Sequence, residues 1–240
     1  MSDEIIVYWG FSGFDVGGET QYRFDDPKRI KLDSKELDKE NGLSLQFTKC
    51  PAYKDVIEST FTLNSPFDFT IRSSNGQFMF DAPYANQEFL NKYFLIRDVK
   101  SKFFTFKTPF LFFCEESLHM QQTGAFFNQN GFIDKTLIIP GKYDIGKWFR
   151  PLETPFIFKN DIESVSVSEN DVLTYVNFLT DKKVILKRFH YTQEMEQLVR
   201  EMSGLKRFKT EFKPLSWFYK KFSSNGIKKK VLKLIKENLV

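Results

Sequence analysis

In the stretch Phe61-Thr62-Leu63-Asn64-Ser65-Pro66-Phe67-Asp68-Phe69-Thr70-Ile71-Arg72, apolar Phe61, Leu63, Phe67, Phe69 and Ile71 alternate with polar Thr62, Asn64, Asp68, Thr70 and Arg72. A period of two places the two sets on opposite faces of a β-strand, with the apolar face inward. Pro66 has no N–H for a ladder, so the run is two short strands or an edge strand with a bulge. Ser73-Ser74-Asn75-Gly76 follows. Asn-Gly accepts the positive φ of a tight hairpin turn, so residues 77–80 are expected as the return strand.

The same pattern continues outward from this stretch. Val172, Thr174, Val176 and Phe178 alternate with Leu173, Tyr175 and Asn177, Thr180-Asp181-Lys182 reads as a turn, and residues 184–189 read as a second return strand. Further strands are expected at 92–98, 103–106, 110–114, 135–139, 143–149, 156–159 and 164–167. Pro, Gly, Asn and Asp clusters separate them at roughly 8–12-residue spacing, which favours a sandwich or barrel over βαβ units. Composition agrees: of 240 residues 29 are Phe and four are Ala, a balance that suits pleated surfaces and disfavours helices. With 41% hydrophobic residues the chain is neither a coiled coil nor disordered. A short helical turn is expected at 51–58, opened by Pro51.

After Phe189 the period changes from two to that of a helix. Thr192 is a natural cap for a helix burying Met195, Leu198, Val199 and Met202, with Gly204 as its stop. Pro214 opens a second helix through Trp217, Phe218 and Phe222, and Ile227, Val231, Leu234 and Ile235 mark a third. The expected fold is therefore mainly β, an antiparallel β-sandwich of jelly-roll-like type over residues 1–190. A basic, helical C-terminal extension over 191–240 packs on or beside it.

The net charge of +4 is unevenly placed. Residues 204–240 hold eleven Lys and Arg against Glu211 and Glu237, while residues 1–203 hold 24 basic and 29 acidic groups. Lys206, Arg207, Trp217, Lys220, Lys221, Lys228, Lys229 and Lys230 interleave cations with aromatics. Such residues serve a protein partner or, alternatively, neutralise phosphates and stack on bases of a nucleic acid. The acidic start Met1-Ser2-Asp3-Glu4 lacks the basic region of a signal peptide, and no apolar run reaches membrane-spanning length. Neither secretion by signal peptide nor membrane insertion is expected. Cys50 and Cys114 are expected as two buried free thiols.

The catalytic motifs point away from an enzyme. His119 is followed by Met120 and Gln121, so it lacks the carboxylate of an iron facial triad, and His190 stands alone at a strand-to-helix boundary. No zinc-ligand spacing or Gly-x-Ser-x-Gly elbow occurs, and Gly10-Phe11-Ser12-Gly13 and Gly17-Gly18 lack the lysine of a phosphate loop. Asp171 with Asp181-Lys182-Lys183 imitates a nuclease metal site but falls on the expected turn. No catalytic residue, metal ligand or cofactor is assigned. The compact segment Ile139-Pro140-Gly141-Lys142-Tyr143-Asp144-Ile145-Gly146-Lys147-Trp148-Phe149-Arg150-Pro151 offers one ligand-binding candidate, a cleft formed by Asp144, Trp148 and Arg150. The alternative there is a Trp packed over the sandwich end with an internal Arg–Asp pair.

Four motifs in order, Cys50-Pro51-Ala52, Ser65-Pro66-Phe67-Asp68, the 143–151 segment and Asn170-Asp171-Val172-Leu173-Thr174-Tyr175-Val176-Asn177-Phe178, span most of residues 45–190. Through them the chain resembles an uncharacterised family encoded by tailed phages of marine bacteria. The resemblance implies a phage accessory or interaction protein, located in the cytoplasm of the infected host cell or in the virion, and supplies no catalytic residue. Two readings stay beside it, a ligand-binding or enzymatic sandwich with a cleft at Trp148 and Arg150, and a nucleic-acid-binding tail.

Overall fold

The computed structural model describes residues 3–12, 24–30, 50–74, 77–83, 87–128, 130–202, 215–224 and 226–240. Their elements begin with β1 (Glu4–Phe11), β2 (Lys28–Arg29), α1 (Pro51–Glu58), β3 (Thr60–Asn64), β4 (Phe69–Ser74), β5 (Gln77–Asp81) and α2 (Gln87–Tyr93). They continue with β6 (Phe94–Asp98), β7 (Phe103–Lys107), β8 (Phe110–Cys114), β9 (His119–Thr123), α3 (Gly131–Lys135), β10 (Thr136–Ile138) and β11 (Gly141–Asp144). The last are β12 (Glu153–Phe158), β13 (Ser164–Val167), β14 (Val172–Phe178), β15 (Lys183–Arg188), α4 (Gln193–Met202), α5 (Leu215–Ser224) and α6 (Ile227–Glu237). The chain is mainly β with helices at its C-terminal end, as its periodicities predict.

Pro66 does divide the first stretch. β3 joins the sheet β11-β9-β14-β3-β2, whereas β4 joins β13-β4-β5. Their apolar residues Phe61, Leu63, Phe69 and Ile71 nevertheless enter one core, since a corner at residues 65–68 turns both inner faces the same way. β4 and β5 pair antiparallel with Ser74 opposite Gln77, the expected hairpin; its turn residues Asn75 and Gly76 lie outside the described residues.

The second expected hairpin does not form. β14 is flanked by β3 and β9, and β15 runs parallel to β1, from Glu4 opposite Lys183 to Trp9 opposite Arg188. The reason lies in β1 and β8. Ile5, Val7, Trp9 and Phe11 of β1 face the main core with Phe110, Phe112 and Cys114 of β8. Tyr8, Leu111 and Phe113 face the opposite way, into a second core completed by α4, α5 and α6. A strand apolar on both faces belongs at the centre of a sheet, and β1 takes β15 and β8 as its two neighbours. Local turn chemistry at 180–182 is outweighed by that burial.

Smaller corrections follow from burial and turn geometry. Lys92 closes α2, so the strand expected at 92–98 begins at Phe94. The strand expected at 143–149 stops at Asp144, and that at 135–139 shortens to Thr136–Ile138 behind α3. Gly10 and Phe11, from the segment that lacks a phosphate-loop lysine, are the last two residues of β1. Cys114 is buried, but Cys50, which precedes α1, is exposed.

α4 buries Met195, Leu198, Val199 and Met202 as its spacing predicts, and Thr192 Oγ1 accepts a hydrogen bond from the Met195 N–H at 3.3 Å. Gly204 and Pro214 lie outside the described residues. α5 and α6 contribute Phe222, Val231 and Ile235 to the second core. Ahead of α4, buried Tyr191 donates its hydroxyl to Glu196 Oε2 at 2.7 Å, and Glu196 in turn accepts from Arg200 Nε.

Burial, reinforced by Glu196, raises the Tyr191 hydroxyl far above its ordinary value. Because the folded pKa is above the unfolded one, near 10, the linked stabilisation is complete below about pH 10 and falls away as pH rises past it. The thermal midpoint of the protein is expected to drop above pH 10. Tyr191→Phe, with nothing to ionise, should lose less of it over that interval; equal losses in both chains would contradict the burial argument.

Candidate functional site

The segment after β11 is built as a tight turn. Asp144 Oδ1 accepts the Gly146 N–H at 3.0 Å, and the Lys147 N–H returns to the Asp144 carbonyl at 2.9 Å. Asp144 Oδ2 takes the Ser117 hydroxyl at 2.7 Å and the Lys147 ammonium at 2.9 Å. Burial alone would raise the Asp144 carboxyl, but the Lys147 and Ser117 hydrogen bonds, the Lys147 charge and the Gly146 N–H together hold it below its ordinary value. Within the turn Ile145 enters the main core, and two residues past its end Phe149 enters the second.

Trp148 is held between those anchors. Its Nε1 donates to the Arg150 carbonyl at 3.1 Å, and the Arg150 guanidinium lies 5.0 Å from the centre of its ring. Tyr143 packs against it at 5.1 Å, and Tyr219 of α5 stacks on it at 5.5 Å with 30° between the planes. Tyr143 itself lies over Gly141, where an added Cβ would stand 2.4 Å from its hydroxyl oxygen. Burial pushes the Tyr143 and Tyr219 hydroxyls up, Glu153 adding to the first and Arg150 pulling both back, so both are neutral at pH 7 and able to donate.

Trp148 and Arg150 therefore come together as the sequence suggests, but Asp144 is not part of the cluster. Its carboxylate is committed to the turn and pairs with Lys147, and the Arg150–Asp144 pair considered as an alternative is not formed among the described ion pairs. The residues that complete the cluster are Tyr143 and Tyr219. Tyr143 lies in the quoted segment; nothing in the sequence links Tyr219, 71 positions beyond Trp148, to it.

Among the tail residues, Phe218 and Phe222 dock on the body, while Trp217 keeps 41% of its surface exposed, with Lys221 Nζ 5.4 Å from its ring centre. Lys220, Lys229 and Lys230 are exposed and Lys228 is half-buried. Lys206 and Arg207 lie outside the described residues. Lys236 pairs with Glu115 at 3.2 Å, tying α6 to the end of β8.

The remaining chemical candidates are dispersed. His119, at the start of β9, and His190, just past β15, are both exposed. The Cys114 thiol is raised by burial and lies 3.5 Å from the Ile6 carbonyl. Lys182 pairs with Glu116 and Lys183 with Glu4, and Asp171 accepts the Ser168 N–H. Among the described residues no three His, Cys, Asp or Glu are grouped to hold a metal, and no helix is long and apolar enough to cross a membrane.

No family model matches the chain, and no curated protein matches it. Among solved structures, the dUTPase of phage phi11 of S. aureus, a mutant form containing a structural Mg(II) ion, is similar at a TM-score of 0.31 and 12% identity. The match covers 56% of this chain and 85% of that one. A likeness of that size carries no argument about this protein.

Proposed function

We propose that this chain is a non-enzymatic phage accessory protein that binds an acidic protein partner, through a surface running across α5 from Trp217 and Lys221 to Trp148 and Arg150. The observation that carries this reading is the stack of Tyr219 on Trp148. It seats the basic helix beside the Trp148–Arg150 turn, so two regions far apart in sequence become neighbours.

The helical period supports the layout. Phe218 and Phe222 face the body, Tyr219 lies on one flank, Trp217 and Lys221 on the other, and Lys220 on top. Aromatic and Arg side chains with exposed cations around them are the composition of a protein-binding hot spot and its rim. The cations select a partner of opposite charge.

Affinity purification of the tagged protein from infected cells, beside a Trp217→Ala/Lys220→Glu/Lys221→Glu variant, tests this. A protein captured by the parent and reduced at least about tenfold by the variant, as expected for loss of a central aromatic and its cations, supports the reading. Capture unchanged in the variant, or capture abolished by nuclease, overturns it.

A further inference from the structure

Among the described residues, Arg150 is the one arginine whose guanidinium meets neither a carboxylate nor a carbonyl. Arg72, Arg97, Arg188 and Arg200 pair with Asp81, Glu153, Asp26 and Glu196, and Arg29 donates to the Val184 carbonyl. Arg150 is half-buried, with its guanidinium 5.0 Å from the centre of the Trp148 ring. Contact with a ring leaves the N–H donors of a guanidinium for an acceptor from outside. The carboxylates of its own segment are already taken. Asp144 is held by Gly146, Ser117 and Lys147, and Glu153 by Arg97.

Two further donors surround the same ring. Tyr143 and Tyr219 pack on Trp148 at 5.1 and 5.5 Å, and both are half-buried. Neither hydroxyl bonds to another described residue. Burial keeps both neutral at pH 7, and both lie within electrostatic reach of the Arg150 charge. Glu153 is the opposing charge beside Tyr143, and its pairing with Arg97 offsets it.

We propose that Arg150, Tyr143 and Tyr219 form a receptor for a phosphate monoester. The receptor lies on the surface proposed above and, resting on that reading, names what the acidic partner presents there: a phosphorylated side chain. Charge and acceptor count decide the class. A carboxylate has two oxygens and one charge, which a guanidinium fork satisfies alone. A phosphate monoester has three terminal oxygens and nearly two charges at pH 7. Two of its oxygens suit the fork and the third suits the tyrosine hydroxyls. Three aromatic rings give these donors surroundings less polar than water, where each charge-assisted bond is stronger.

Phenyl phosphate and benzoate, titrated separately into the 15N-labelled full-length protein, test the receptor without any partner. The indole N–H signals of Trp9, Trp148 and Trp217 are assigned by replacing each Trp with Phe in turn. Phenyl phosphate is expected to shift the Trp148 signal saturably, and benzoate to bind at least about tenfold more weakly. Arg150→Lys keeps the charge but loses the fork, so it should weaken phenyl phosphate about tenfold or more. Tyr143→Phe and Tyr219→Phe, which keep the rings, should each weaken it about two- to tenfold. If Arg150→Lys fails to fold, these two variants give the reading. No saturable shift, a shift confined to Trp217, equal binding of the two ligands, or folded variants that all bind as the parent does would overturn the receptor. Partner capture that persists after such a result leaves the surface reading standing, so the two failures are told apart.

Discussion

A Gly146→Ala chain is expected to lose about 3 kcal/mol of stability, enough to lower Tm by about 6–12 °C in a chain of this size. An ideal Cβ on Gly146 would stand 2.1 Å from the Glu116 carbonyl oxygen, 2.8 Å from its carbonyl carbon and 3.1 Å from Ser117 Cα. All three are backbone atoms, so no rotamer change relieves the contact. The backbone around them is also pinned. The Ile145 N–H donates to the Leu118 carbonyl, and the Ile145 carbonyl accepts from the Cys114 N–H. Relief must move the 144–147 turn that seats Trp148, so the fluorescence of that tryptophan should shift with the loss of stability. Gly131→Ala, where an added Cβ meets nothing within 4 Å, is the control and is expected to stay within about 0.5 kcal/mol. Equal midpoints for the two variants in thermal denaturation would show the turn to be softer than its contacts imply.

The second large effect is expected at Phe104, whose truncation to Ala should cost about 3–5 kcal/mol. Phe104 is fully buried. Its ring stacks on Phe156 at 5.6 Å and meets Phe78, Phe80 and Phe158 within 6.4 Å. The cavity left by truncation is walled by aromatic rings held on two sheets, β5 of one and β12 of the other, which cannot collapse together, so the transfer and cavity contributions add. Phe126, 58% exposed and packed edge-on against Tyr175, should cost under about 1 kcal/mol when truncated. Urea midpoints of the two variants separate the phenylalanines that build the core from those that do not. A Phe104→Ala chain no less stable than Phe126→Ala would contradict the packing described.

The strands and helices were largely readable because their signals are local. Alternation at 61–72 and 172–178, the cap at Thr192 and the 3.6-residue spacing of Met195, Leu198, Val199 and Met202 each depend on residues a few positions apart. Where a local signal competed with distant burial, it lost. The turn at 180–182 suggested a hairpin, but β1 needed a neighbour on each edge and drew β15 from the other end of the chain. The candidate site shows the same division. Trp148 and Arg150 are two residues apart and meet through a bond within their own turn. Asp144 stands apart from that pair because its carboxylate, beside a glycine turn, takes the Gly146 N–H, the Ser117 hydroxyl and the Lys147 ammonium.

By itself, then, the sequence determined that this is a mainly β protein with a basic helical end, since period, turn chemistry and charge are written in short windows. Tertiary structure alone decided which strand lies beside which, that Tyr219 covers Trp148, and that β1 and β8 serve a core on each face. Those outcomes depend on which surfaces bury the most area against each other, a comparison among elements far apart in the chain.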